Sequence, residues 1–118
     1  MITVWGLKNC DTCKKARAWL DDRGAAHSFK DVRADGLSPD DIQAWLDAVG
    51  ADVLINRRGT TWRGLDDAAK AKAEDPATVV DLLATNPALI KRPVFVAADG
   101  AIVVGFGKVE QAKVEALT

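Results

Sequence analysis

Apolar positions along this chain follow two periods. Ile2 to Trp5 is a short, β-branched apolar run stopped by Gly6, the pattern of a buried strand. From Asp11 to Arg23 the period changes: Ala16, Trp19 and Leu20 make an i, i+3, i+4 stripe, and Gly24 supplies a helix stop. His27 to Val32, with Phe29 as its aromatic, reads as a second strand. A second helix has a well-marked start, with Ser38 as N-cap, Pro39 at the first helical position and Asp41 at the third. Ile42, Trp45, Leu46 and Val49 then line one face before Gly50. Val53 to Ile55 is apolar, whereas Asn56 to Thr61 reads as a polar loop. Leu65 to Ala73 is expected to be a short helix of low apolar content. Asp75-Pro76 is expected to open another helix, carrying Val79, Val80, Leu82 and Leu83 inward and closed by Asn86-Pro87. Val94–Ala97 and Ala101–Val104 flank Ala98-Asp99-Gly100, and Asp-Gly between two apolar runs signals a hairpin. Lys108 to Leu117 reads as a terminal helix.

The resulting order is β-α-β, a helical block, then β-β-α. With the block removed, what remains is a thioredoxin-type α/β plan whose first two strands are parallel. One domain is expected, with a core of about residues 1–35 and 88–118 and a helical insertion of about 36–87. A chain of 118 residues can close a core without metals or disulfides.

Composition narrows the function classes. With 16 basic and 17 acidic residues the net charge is −1, which argues against direct nucleic-acid binding. No apolar run nears the roughly 20 residues of a membrane span, and the first residues lack the pattern of a secretory signal. A cytoplasmic location, no membrane partner and a monomer are therefore expected. The chain has two cysteines, and in a reducing compartment such a pair is catalytic, redox-sensing or metal-binding more often than a permanent staple. Two cysteines and one histidine cannot complete a tetrahedral zinc site within one chain, so no metal is expected. His27 itself reads as a strand residue.

The candidate chemistry sits at Cys10. It follows a strand and precedes a helix, where unpaired N–H groups and the helix dipole favour a thiolate. Lys8, Lys14 and Lys15 add positive charge, and Asp11 opposes it. Cys13, three residues on, shares the helix face and could resolve an adduct on Cys10. The competing reading of Cys13 is an inert core thiol. A C-x-x-C beside a βαβ unit is the spacing of thioredoxin-like redox sites. Trp5, Trp19 and Trp45 read as core; Trp62 either lines the site or packs structurally.

The segment Gly6-Leu7-Lys8-Asn9-Cys10-Asp11-Thr12-Cys13-Lys14-Lys15-Ala16 resembles the active-site segment of the arsenate reductase (ArsC)-like family, most closely its Spx/YffB branch. The resemblance continues through Asp31–Leu37, Asn56–Arg63, Asn86-Pro87, Ile90-Lys91-Arg92-Pro93 and Gly105-Phe106. It implies a thioredoxin-like sheet with an inserted helical subdomain, a nucleophile at Cys10 and a cis-proline at Pro93. It also implies that Arg92 and Arg58, with Lys8 and Asn9, serve a thiolate or bound anion. Arginine's planar fork suits such groups. Arsenate reductases proper gather three arginines around the oxyanion. Here Arg92 matches one, Asn56 stands at the second place beside Arg57 and Arg58, and Gly105 stands at the third. Arsenate is therefore disfavoured. The branch implies a thiol oxidoreductase acting on a thiol or disulfide substrate, with no bound cofactor and with glutathione as co-substrate. The alternative it implies is a redox-switched, Spx-like regulator that binds RNA polymerase without turnover. Gly59-Thr60-Thr61-Trp62-Arg63 follows the YffB pattern.

Overall fold

In the computed structural model, which describes residues 1–118, the chain falls into two compact units. One is formed by Met1–Asp35 with Arg92–Thr118, the other by Gly36–Lys91.

The first unit is built on β1 (Ile2–Gly6), one of the two interior strands of a four-stranded sheet. β2 (His27–Asp31) runs parallel to it, with Val4 opposite Phe29. On the other side lies β3 (Val94–Val96), antiparallel, followed by β4 (Ile102–Val104). The order is β2-β1-β3-β4. A parallel β1–β2 pair requires a crossover, which α1 (Asp11–Asp22) supplies. The chain closes with α7 (Lys108–Leu117).

Strand alternation gives the sheet two faces. Ile2, Val4, Phe95 and Val103 form one core cluster with Ala16 and Leu20 of α1 and Val114 of α7. Phe106 joins this layer, edge-on to Trp19 with ring centroids 5.6 Å apart. Trp5, Val94 and Val104 form a buried cross-strand row at the alternate positions. The β3–β4 turn closes through Gly100 N–H to Ala97 O and Ala97 N–H to Ala101 O, both 2.9 Å. Gly100 has φ +91°, which is why the Asp-Gly signal works. Each of these two strands is one residue shorter than the apolar runs suggested.

The helical unit begins with α2 (Pro39–Val49). Its capping box is complete: Asp41 N–H donates to Ser38 Oγ at 3.1 Å, and Ser38 N–H to Asp41 Oδ2 at 3.3 Å. Short helices follow: α3 (Ala51–Leu54), α4 (Thr60–Arg63), α5 (Asp67–Ala71) and α6 (Val79–Thr85), with 3₁₀ turns at Lys72–Glu74 and Pro87–Leu89. Ile42, Trp45, Leu54, Leu82, Leu83, Leu89 and Ile90 are buried in this unit. Leu89 to Lys91 stay with it because Asn56 N–H donates to Leu89 O and Lys91 N–H to Leu54 O, both at 2.7 Å.

Three expectations in this unit need correction. The expected Asn56–Thr61 loop stops short, because α4 starts at Thr60 behind the Gly59 N-cap. The helix expected over Leu65–Ala73 begins only at Asp67, since Asp66 Oδ1 accepts Ala69 N–H and fixes the start there. The helix expected from Asp75-Pro76 begins at Val79. Asp75 instead makes a turn: its Oδ1 accepts Ala77 N–H and its carbonyl accepts Thr78 N–H. No helix is long and apolar enough to cross a membrane.

Candidate functional site

β1 ends at Gly6, and Leu7–Asn9 turn the chain into α1. Cys10 N–H closes that turn onto Leu7 O at 3.2 Å, and Cys10 O accepts Lys14 N–H at 3.0 Å. Cys10 is therefore the N-cap of α1, with extended φ and ψ of −93° and 119°. A sulfur stands where helices usually place a Ser or Asp oxygen. The Cys13 N–H faces it without closing a full capping hydrogen bond.

Both thiols are free, Cys10 half-buried and Cys13 exposing 1%. Cys13 lies beneath Cys10 against the end of β1. A Cβ built on Gly6 would run into the Cys13 sulfur, so glycine is what lets α1 sit this close.

The two sulfurs are driven in opposite directions. Burial works against charge on Cys10, but the Cys13 N–H, the Cys13 thiol and the Arg92 guanidinium together outweigh it. Cys10 titrates below its ordinary value as a result. Burial pushes Cys13 up to about 11; the Leu7 N–H opposes this, while hydrogen bonding to Cys10 and the charge on Cys10 add to it. Of the two thiols, Cys10 is the one that gives up its proton first, while Cys13 keeps its own.

Arg92 precedes a cis peptide bond to Pro93, as the resemblance implied. Pro93 is buried, and its carbonyl accepts Gly105 N–H at 2.9 Å. The half-buried Arg92 lines a cavity of about 380 Å³ with Leu7, Lys8, Asn9, Cys10, Asp31 and Arg33. The sequence candidates Lys8, Asn9, Cys10 and Arg92 thus share one cavity.

Two further residues there escaped the sequence reading. Asp31, 8% exposed, is the last residue of β2. Its Oδ1 accepts Arg33 N–H at 2.7 Å and Ala34 N–H at 3.0 Å. These N–H groups, the Arg33 one foremost, hold its carboxyl below the usual carboxylate range against the cost of burial, and the Lys8 N–H and charge add to them. Asp31 therefore ties the loop carrying Cys10 to the turn after β2. Arg33 follows in that turn with an exposed side chain. An Asp followed two and three residues on by free N–H groups is an Asx-turn signal, and Asp31-Val32-Arg33-Ala34 carries it.

Arg58 lies in the helical unit, where it lines a cleft with Asp52, Asn56, Arg57 and Lys91. Arg57 is committed to ion pairs with Asp52 at 3.0 Å and Glu74 at 3.4 Å. Asn56 Oδ1 accepts Arg58 N–H at 3.1 Å and braces the turn. Trp62 is half-buried within the same unit, beneath the cationic groups of Arg57 and Lys70. Gly105 is buried with φ +97°, a backbone conformation that strains any residue with a side chain. His27 is a strand residue whose ring nitrogen Nδ1 lies 2.9 Å from Ala25 O.

Residues 5–114 match the ArsC family. An uncharacterized protein of Haemophilus influenzae is 46% identical over 110 residues, 93% of this chain and 95% of its own. The solved structure of a YffB protein superposes with a TM-score of 0.88 at 39% identity, covering 100% of both chains. The global transcriptional regulator Spx of Listeria innocua is 28% identical over 98 residues, 81% of this chain and 73% of the regulator. The chain belongs to the ArsC family, on its Spx/YffB branch.

Proposed function

We propose that this protein is a glutathione-dependent thiol oxidoreductase with Cys10 as its nucleophile. The observation that carries the reading is the sulfur of Cys10 at a helix N-cap, hydrogen-bonded to Arg92 and titrating below the ordinary cysteine value. A thiolate is the attacking species in disulfide exchange.

The cycle balances without a bound cofactor. The Cys10 thiolate attacks the glutathione sulfur of a mixed disulfide, forming a Cys10–glutathione disulfide and expelling the substrate sulfur as a thiolate that takes a proton from water. A glutathione thiolate then attacks the glutathione sulfur of that adduct. It releases oxidised glutathione and restores the Cys10 thiolate beside Arg92. The mixed disulfide is reduced and one glutathione is oxidised, which leaves joined to the glutathionyl group that the substrate carried. Arg92, with Lys8 and Asn9 at the cavity wall, holds an anionic group of glutathione once the charge on Cys10 is gone. Cys13 is an optional resolving thiol. Burial, with the hydrogen bond and charge of Cys10, holds the Cys13 proton up to about 11, and adduct formation removes only the charge.

Intact mass after incubation with oxidised glutathione tests this. The expected product is one glutathionyl group on Cys10, retained in Cys13→Ser and absent in Cys10→Ser. Finding neither that adduct nor a Cys10–Cys13 disulfide overturns the reading.

A second reading is favoured by the contact between the two thiols together with the Spx similarity. In it the pair is a redox switch on a regulator that binds RNA polymerase without turnover. Retention on immobilised polymerase in only one redox state supports it; no retention in either state removes it. Arsenate reduction is disfavoured, since Asn56 braces a turn and a side chain at Gly105 would be strained.

A further inference from the structure

We propose that Arg33, with Lys8, forms an anion subsite on the wall of the Cys10 cavity, which selects thiols and disulfides bearing a carboxylate near the sulfur. This rests on the thiol-exchange reading and names the substrate class that the cavity takes.

The cavity of about 380 Å³ that holds Cys10 is lined by three cationic residues, Lys8, Arg33 and Arg92, and by one acid, Asp31. These are not equivalent. Arg92 is hydrogen-bonded to the Cys10 sulfur, so its charge serves the thiolate. Asp31 is nearly buried and its carboxylate is spent on the N–H groups of Arg33, Ala34 and Lys8. Bound in this way, it fixes the backbone of both Lys8 and Arg33, and its charge is set against that of Lys8. The Arg33 side chain is exposed and takes part in no ion pair within the chain.

Arg33 on anchored backbone therefore remains for something that enters the cavity, with Lys8, partly offset by Asp31, beside it. The apolar share of the wall comes from Leu7 and Ala34, which suits a short carbon chain between sulfur and carboxylate. A small acidic thiol such as glutathione, or an acidic cysteine-containing peptide, has that chemistry. A cationic thiol would meet three like charges.

The test compares three small disulfides of matched size: dithiodipropionate (dianionic), hydroxyethyl disulfide (neutral) and cystamine (dicationic). The rate of Cys10 disulfide formation is followed by mass in the full chain with Cys13→Ser. The expected order is anionic, then neutral, then cationic, with about tenfold between the first two at low salt and less at high salt. Arg33→Met should cut the anionic rate roughly threefold and leave both the neutral rate and the pH midpoint of Cys10 alkylation unchanged. Lys113→Met, an exposed cation on α7, should change nothing. Equal rates for the three disulfides, or an Arg33→Met variant with its charge preference intact, overturn the subsite while thiol exchange stands. No reaction with any disulfide overturns both.

Discussion

Gly6 and Cys13 are in contact across the junction of β1 and α1, and the contact tolerates no added carbon. A Cβ on Gly6 would enter the Cys13 sulfur and also come within 3.3 Å of the Cys13 Cβ. Gly6→Ala should therefore destabilise the fold by about 1–3 kcal/mol, the usual range for overpacking a tight site. Cys13→Ala removes the sulfur, so the added cost of Gly6→Ala should fall sharply in that background. Denaturant midpoints for the four proteins of the cycle measure the coupling. Additive costs would show that the contact is not what Gly6 serves.

Arg92 supplies both a hydrogen bond and a charge to the Cys10 thiolate. Removing it as Arg92→Met should raise the pH midpoint of Cys10 alkylation, because only the charged form loses a partner. At a pH below that midpoint the alkylation rate follows the thiolate fraction, so it should drop about tenfold for every pH unit the midpoint rises. Burial foremost holds Cys13 up to about 11 while Cys10 is free, so the initial alkylation rate should report Cys10 alone. In Cys10→Ser the Cys13 step should move to lower pH, since the charge and hydrogen bond of Cys10 both contribute to raising it. An unmoved Cys10 midpoint in Arg92→Met would remove arginine from the thiolate's support.

Much of this site was written in the chain, and what was not has a physical reason. The strand, glycine and helix around Cys10 are local signals, as are the Ser38 capping box and the Asp99-Gly100 turn. Each depends on a few neighbouring residues. Grouping Arg92 with Cys10 needed the family resemblance, because the two are far apart in sequence and meet only through the pairing of β1 with β3. Asp31 went unnoticed because an acidic residue ending a strand ordinarily points to water. Its burial follows from three backbone donors that two separate loops present to it. The short helices of residues 51–85 were the least legible, since Asp66 and Asp75 decide their starts through side-chain hydrogen bonds while adding nothing to the apolar pattern.

Asp31 makes a prediction on the acid side. Its native carboxyl titrates below the ordinary 3.8, so the unfolded chain takes up the proton first as the pH falls. The stability it contributes is fully present above the ordinary value and is lost as the pH falls through the native one. Asp31→Asn keeps an acceptor oxygen but loses the charge, and should cost about 1–2 kcal/mol at neutral pH. The gap between variant and parent should narrow toward pH 3. Urea midpoints at neutral and acid pH measure it, and a gap that persists unchanged would mean that the charge is not what matters. Because Asp31 also receives the Lys8 N–H, the neutral-pH variant should alkylate Cys10 at an altered rate.

Gly105 sets a limit on redesign. The family resemblance sets an arginine of arsenate reductases at this position, which suggests Gly105→Arg as a way to add an anion-holding charge. The backbone argues otherwise. Gly105 has φ +97°, is buried, and donates its N–H to Pro93 O at 2.9 Å, holding the residue after Arg92 in place. Any side chain there forces a conformation costing about 1–3 kcal/mol, or drags the Pro93 segment with it. Gly105→Ala should lower stability by that amount, and Gly105→Arg by at least as much. In Gly105→Arg, Cys10 alkylation should slow as Arg92 is displaced, and arsenate-dependent thiol oxidation should stay at background. An arsenate-reducing Gly105→Arg variant of unchanged stability would show that the backbone at Gly105 adapts freely, and that side-chain content separates this chain from the arsenate reductases.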